Sequence, residues 1–393
     1  MPDILHDPLR QAAYLKQCLS ENKRPIGFLL AAGCPQAVRV DGKPLIPAIE
    51  VLTTQVNEEL AKKNCAGNFA KVLANLATDG NEKPNLEVAL THIRGLTEVA
   101  GKGEVRGLQA DALKELDTAI CAEIVAAVSK SLPSPLNAYH RFAAWVKARE
   151  RKEAVEVFTP NYDLLFEQAF EESGVPYFDG FVGSRRAFFD TQAMEGDKLP
   201  PRWARLWKLH GSINWRKGDD GKAFRGVAEE GAQSYMIHPS HLKYDESGRM
   251  PFLAMIDRLR NFLRQPSAVL VCGGYSFGDK HLNSAIEEGL QGNPHATLFA
   301  LCYGALDSYP AAQKLAERSG NFSLFADDQA IVGTRQGGWS AVETSTTIAV
   351  TPATDVDGKP AAAKFALGDF DAFGKFLAEL MGEIPFHAPD HAD

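Results

Sequence analysis

Apolar positions follow two different rhythms along this chain. Asp7, Pro8 and the apolar Leu9, Ala12, Ala13 and Leu19 predict an opening amphipathic helix, with Asp7 as N-cap and Pro8 in the first helical position. The unbroken apolar run from Pro25 to Ala32 then predicts a buried strand ending at Gly33-Cys34-Pro35. Over residues 46–150 the period changes to about 3.6 in five successive segments: IPAIEVLTTQVNEEL, NFAKVLANLA, NLEVALTHIRGLTEVA, ALKELDTAICAEIVAAVSKSL and NAYHRFAAWVKARE. These predict a run of helices.

Beyond them the chain alternates. The strand-like VEVFT runs through Asn161-Tyr162-Asp163 into an amphipathic helix carrying Leu164, Leu165, Phe166, Ala169 and Phe170. RLWKL (205–209), SYMIH (234–238), AVLVCGG (268–274) and ATLFALC (296–302) predict further strands, with DKHLNSAIEEGL as a crossover helix between the last two. This grammar predicts an α/β fold with a Rossmann-like parallel sheet. Lys217 to Gly231 reads as an exposed excursion, and VDGKPAAAK (356–364) as a linker before a final helix near 369–381. The expected organisation is an α/β domain from 1–45 and 150–335, an inserted helical module over 46–149, and a C-terminal extension over 336–393.

Composition narrows the function classes. The 50 acidic and 42 basic residues give a net charge of −8 with no basic block, so direct nucleic-acid binding and attachment to an anionic membrane surface are not expected. No apolar stretch approaches the ~20 residues of a membrane span, and the N-terminal residues carry no basic and apolar leader pattern, which predicts a cytoplasmic protein. Six scattered cysteines without a CxxC pair predict buried, reduced thiols. His238 and His241 have a metal-like spacing but lack a neighbouring third ligand, so no metal is expected.

Four loops follow predicted strands, where open parallel sheets bind ligands. In the first, small Ala31, Ala32 and Gly33 allow backbone to approach either a pyrophosphate or another part of the chain. In the second, Asn161 and Asp163 are either polar groups of a site or caps of the next helix. The third presents His210 beside Gly211, either as an acid–base group or as a satisfied polar residue. The fourth, Gly273-Gly274-Tyr275-Ser276-Phe277-Gly278-Asp279, is either a phosphate-holding loop or an ordinary strand-to-helix turn with Asp279 as N-cap. Asp279 and His281 point apart at a helix start, which leaves Asp279 as cap and His281 as a wall or ribose contact.

The order of these loops resembles the sirtuin superfamily. Ala31-Ala32-Gly33-Cys34-Pro35 is similar to its first phosphate loop, Asn161-Tyr162-Asp163 to its N-x-D motif, His210-Gly211 to its HG motif, and Gly273-Gly274-Tyr275-Ser276 to its late glycine/serine loop. The fuller spellings TxNYDxxxE (Thr159 to Glu167), KLHGSxxW (Lys208 to Trp215), H-P-S-x-x-K-Y (His238 to Tyr244) and GYSFGDxHxN (Gly274 to Asn283) resemble prokaryotic sirtuin-like proteins of antiphage defence, particularly those paired with a HerA-type ATPase. The chain departs from the sirtuin pattern in having Ala31 for the first glycine, Pro35 for the usual serine, and no four-cysteine zinc module.

The resemblance implies NAD as substrate. Asn161 would then position the nicotinamide ribose or an attacking water, Asp163 stabilise the developing charge or polarise the departing nicotinamide region, and His210 act as base toward a ribose hydroxyl or water. Nucleotide contacts would fall on Ala31, Ala32, Gly33, Cys34, Tyr162, Gly211, Gly273, Gly274, Tyr275, Ser276 and His281. The implied activity is NAD glycohydrolysis, in a homo-oligomer partnered with a HerA-type ATPase. A non-catalytic module that binds NAD or ADP-ribose is the alternative, and ADP-ribosyl transfer or deacylation a third. Apolar helical stripes in excess of a single sheet's needs also suggest self-association.

Overall fold

Strands that are apolar at every position must be buried on both faces, and the central strands of this chain are used that way. A computed structural model describes residues 4–148, 151–196, 198–218, 220, 222–226, 233–236, 250–357 and 359–382. Its main sheet contains β1 (Leu5–His6), β2 (Ile26–Leu30), β3 (Glu156–Thr159), β4 (Tyr177–Phe178), β5 (Ala204–Lys208), β6 (Val269–Gly273), β7 (Thr297–Leu301), β8 (Phe322–Phe325), β9 (Gln329–Val332) and β10 (Arg335–Trp339). Their order is β1-β10-β9-β8-β7-β6-β2-β3-β5-β4. Only β9 runs against its neighbours; all other pairings are parallel.

The described helices are α1 (Pro8–Ser20), α2 (Gly33–Ala37), α3 (Ile49–Leu60), α4 (Ala66–Thr78), α5 (Leu86–Ala100), α6 (Ala110–Val128), α7 (Ala138–Lys147), α8 (Leu165–Ser173), α9 (Thr191–Gly196), α10 (Phe252–Leu263), α11 (Lys280–Gly292), α12 (Pro310–Ala316) and α13 (Phe370–Leu380). Asp7 caps α1 as its sequence predicts, accepting hydrogen bonds from the N–H groups of Leu9 and Arg10. The buried stripe of that helix is Ala12, Leu15, Cys18 and Leu19, while Leu9 and Ala13 face outward.

Alternation along β2 divides the core. Ile26, Phe28 and Leu30 join α1, α7, α8 and α13 on one face, where the Phe28 ring meets Phe142 and Trp145 edge-on at 4.9 and 5.4 Å. Leu29 faces the other way, towards Phe262 and Leu259 of α10 and Leu282 of α11. Gly27 makes room there: a Cβ on it would lie 2.6 Å from the Phe262 ring.

Helices α3 to α6 form a separate core from Leu52, Phe69, Val72, Leu90, Ile93, Leu116 and Ile120. The stripes that suggested self-association therefore pack largely on one another. Helix α7 shares their periodicity but buries Tyr139, Phe142 and Trp145 against the main sheet instead.

A five-stranded antiparallel sheet lies between β4 and β6 in sequence, in the order 233–236, Gly211–Lys217, Ala223–Arg225, Ala187–Phe189, Phe181–Val182. The expected excursion after Lys217 thus contains a strand, with Ala223 and Phe224 buried; only one bulky apolar residue, Phe224, marks it, too little for a periodic signal. The expected 356–364 linker likewise includes a strand, Pro360–Phe365, which pairs with Val350–Thr354 and buries Ala363 and Phe365. His238, His241 and the rest of the H-P-S-x-x-K-Y stretch lie outside the described residues. Among the described residues, no helix is long and apolar enough to cross a membrane.

Helix α13 crosses α7 closely at Gly374, where an added Cβ would stand 2.9 Å from the Ala138 Cα. Gly374→Val is expected to destabilise the fold by about 1–3 kcal/mol through overpacking, measured as a lower denaturant midpoint at unchanged m-value.

Candidate active site

From β2 the chain continues to β3 on one side, then returns through β6 on the other, so the switch point of the sheet lies between β2 and β6. Ligands of open α/β sheets bind outside the carboxyl ends of strands at such a point. All four loops singled out in the sequence end there. A cavity of ≈1490 Å³ opens against them and is lined by Ala31, Ala32, Gly33, Asn161, Tyr162, Asp163, His210, Gly274, Tyr275, Ser276, Asp279 and His281, among others. The helical module forms its opposite wall with residues including Glu50, Thr91, His92 and Arg106.

The first and fourth loops are joined backbone to backbone. Ala31 N–H donates to the Gly273 carbonyl at 3.0 Å and Gly33 N–H to the Gly274 carbonyl at 2.9 Å. A Cβ on Gly33 would lie 2.6 Å from Gly274 Cα, and one on Gly274 would lie 2.6 Å from Cys34 N. Gly274 also has a φ of 61°, a left-handed conformation that glycine adopts without strain. The small residues of these loops therefore serve the approach of one loop to the other, and the Ala31, Gly33 and Cys34 N–H groups all donate to carbonyls of the chain. Cys34 is fully buried, and desolvation pushes its thiol well above the usual range.

The second and third loops are joined around Tyr162. Its carbonyl accepts from Ile213 N–H at 3.0 Å and from the Ser212 hydroxyl at 3.3 Å. Below them Lys208, on β5, is 1% exposed. Its ammonium donates to the Asp163 carbonyl and stands 3.3 Å from Glu167 Oε1 on α8. Burial raises the Asp163 and Glu167 carboxyls above the ordinary range, and the Lys208 charge opposes that rise in both. Asp163 Oδ1 also accepts from Leu165 N–H at 3.1 Å just before α8, whose N-cap residue is Leu164, and Asp163 lines the cavity as well. Asn161 does not cap; its N–H donates to Thr159 Oγ1 at 3.1 Å. The buried Asn161 Nδ2 is near enough to favour ionised Asp163 but is not in hydrogen-bond geometry.

The fourth loop braces itself. Tyr275 packs into the core and its hydroxyl donates to Asn283 Oδ1 at 2.8 Å, while Asn283 Nδ2 donates to the Phe277 carbonyl at 2.7 Å. Ser276 is exposed, and its Oγ accepts from Gly278 N–H at 3.3 Å. Gly211, with a φ of 85°, turns the chain from β5 into the small sheet immediately after His210.

Two features were not drawn from the sequence. Lys208 is a buried cation in a strand that is buried throughout, which by itself calls for buried partners. Asp279 caps α11 as expected, yet its Oδ2 also stands 3.1 Å from His210 Nε2. No local pattern brings those positions together. Among the described residues, no group of three His, Cys, Asp or Glu is placed to hold a metal ion.

The chain is similar to known proteins only in part. No curated protein matches it. Among solved structures, a Sir2 homologue in complex with NAD aligns over 79% of this chain and 87% of its own at 13% identity and a TM-score of 0.35. A structure described for the mechanism and regulation of Sir2 enzymes aligns over 75% and 86% at 10% identity and a TM-score of 0.36. A mutant Sir2 homologue in complex with ADP-ribose aligns over 73% and 83% at 14% identity and a TM-score of 0.34. Residues 155–322 match the family model of the SIR2-like domain, and this stretch runs from β3 to the start of β8 and includes the loops that present Asn161, Asp163, His210 and Gly274.

Proposed function

We propose that this chain is an NAD glycohydrolase, cleaving the nicotinamide–ribose bond to give nicotinamide and ADP-ribose. The observation that carries the reading is the convergence of Asn161 and Asp163, from the end of β3, and His210, from the end of β5, on one cavity beside the residues that match the SIR2-like domain. In the reaction the C1′–N bond breaks, its electron pair leaves with nicotinamide, and positive charge spreads over the ribose. Buried Asp163 faces that charge, the Asn161 amide orients the ribose or the water, and His210 takes the proton released as water adds to C1′. Gly33 and Gly274 hold the two loops on which the pyrophosphate rests.

Hydrolysis is preferred to deacylation because the six cysteines are separate free thiols, which does not provide the four-cysteine module of the deacylases. The motif spellings extend the proposal to antiphage defence by NAD depletion, in a homo-oligomer activated with a HerA-type ATPase. The cavity wall contributed by the helical module gives a partner a route to the site, since a shift of that module changes access to the four loops.

Wild-type protein and His210→Ala, each alone and with the partner ATPase, are incubated with NAD, and nicotinamide and ADP-ribose are resolved by chromatography. Release by the wild type should fall roughly 100- to 10,000-fold in His210→Ala. NAD binding without release under every condition replaces the hydrolase with a nucleotide-binding module. Gly274→Ala forces a left-handed alanine against Cys34, and should weaken ADP-ribose binding by about tenfold in calorimetry through strain of about 1–3 kcal/mol.

A further inference from the structure

His210 and Asp279 come from opposite sides of the switch point, one after β5 and the other after β6. The His210 Nε2 to Asp279 Oδ2 distance is 3.1 Å, a close polar contact without hydrogen-bond alignment, and the side chains are only 7% and 9% exposed. The other carboxylate oxygen, Oδ1, accepts from the N–H groups of His281 at 2.9 Å and Leu282 at 3.2 Å. Rotation of the carboxylate away from His210 would therefore uncap α11. This gives the contact a rigid support that an isolated surface aspartate lacks.

Other titratable groups surround the same site. Asp163 from the loop after β3, and Lys280 and His281 from the first turn of α11, line the cavity with His210. Lys208 lies beneath, engaged by the Asp163 carbonyl and Glu167. Asp279 is the carboxylate that stands at 3.1 Å from the imidazole. An ionised carboxylate has lone pairs and no proton to donate, and a ring lone pair set against it is repelled, so its proximity favours the hydrogen on the ring nitrogen that stands nearest it. The other nitrogen of a neutral imidazole then holds the lone pair.

We propose that Asp279 is a positioning residue that holds His210 in the tautomer protonated at Nε2, leaving Nδ1 to take the proton. The proposal rests on the reading of His210 as the base. It assigns the D-x-H element a role its local geometry does not suggest: the aspartate acts across the sheet on His210 rather than on His281, and capping α11 keeps it aimed there.

Asp279→Asn tests this on the full chain. Asparagine retains an oxygen to cap α11 but turns an NH2 donor towards His210, which draws the lone pair to Nε2 and the proton to Nδ1. The variant should keep its thermal midpoint and lose roughly 100- to 10,000-fold in kcat, with KM within about threefold. Added to His210→Ala, it should cause no further loss, because it acts through the residue already removed. Retained kcat, or a loss that adds in full to that of His210→Ala, overturns the proposal.

A second measurement is independent of turnover. In protein labelled with 15N-histidine, with the His210 resonance assigned through His210→Gln, the ring shifts should report Nε2–H in the wild type and Nδ1–H in Asp279→Asn. Identical tautomers in the two proteins overturn the proposal even if both are inactive. Absence of nicotinamide release by the wild type instead counts against the glycohydrolase reading, while the tautomer comparison still decides the role of Asp279.

Discussion

Where the loops after β2 and β6 meet, Gly33 N–H donates to the Gly274 carbonyl at 2.9 Å, and neither residue has room for a Cβ. The geometry of the cavity follows from that close approach. The two strands are neighbours, but the chain leaves them towards opposite halves of the sheet, so their loops would diverge if nothing tied them. Held together, they bring the starts of α2 and α11 to one cavity, which residues of both helices line. Asp279 at the start of α11 is thereby brought to His210 at the end of β5, two strands beyond β2.

The other half of the site is organised from below by a buried charge. Placing an ammonium in a core costs several kcal/mol unless partners compensate it, and removing one partner of a buried pair costs about 3–5 kcal/mol. Lys208 is compensated by the Asp163 carbonyl and by Glu167, so it links β5, the Asn161-Tyr162-Asp163 loop and α8. The same loop is held from above by Ser212 and Ile213 through the Tyr162 carbonyl. A loop tied at both levels keeps Asp163 desolvated, which raises its carboxyl while Lys208 restrains the rise. These two effects act in opposition on the group that faces the cavity. Helices α3 to α6 close the arrangement from the far side with a core largely of their own, which meets the core of the sheet at Val128.

Much of this was legible in the amino-acid sequence. Asp7 and Pro8 mark the start of α1, the all-apolar β2 and β6 require cover on two faces, and the spacing from Leu164 to Phe170 marks α8. The chemistry-bearing loops were legible because each follows a buried strand. The strands at Ala223–Arg225 and Pro360–Phe365 were not, because small, charged and proline residues dilute a two-residue period below recognition. Helix α7 was legible as a helix but not as a partner of the sheet, since periodicity records that a face is apolar and not what covers it.

The sequence by itself determined most of the helices, the central buried strands and which polar residues stand at their ends. The tertiary structure decided that Gly33 fits against Gly274, that Lys208 reaches Glu167, and that Asp279 faces His210 rather than acting with His281. Local periodicity is set by the 3.6- and 2-residue repeats of single elements, within which neighbouring residues constrain one another directly. Contacts between strand ends depend on the order in which strands assemble across the sheet, and residues 210 and 279 become neighbours only because β6 is placed on the far side of β2.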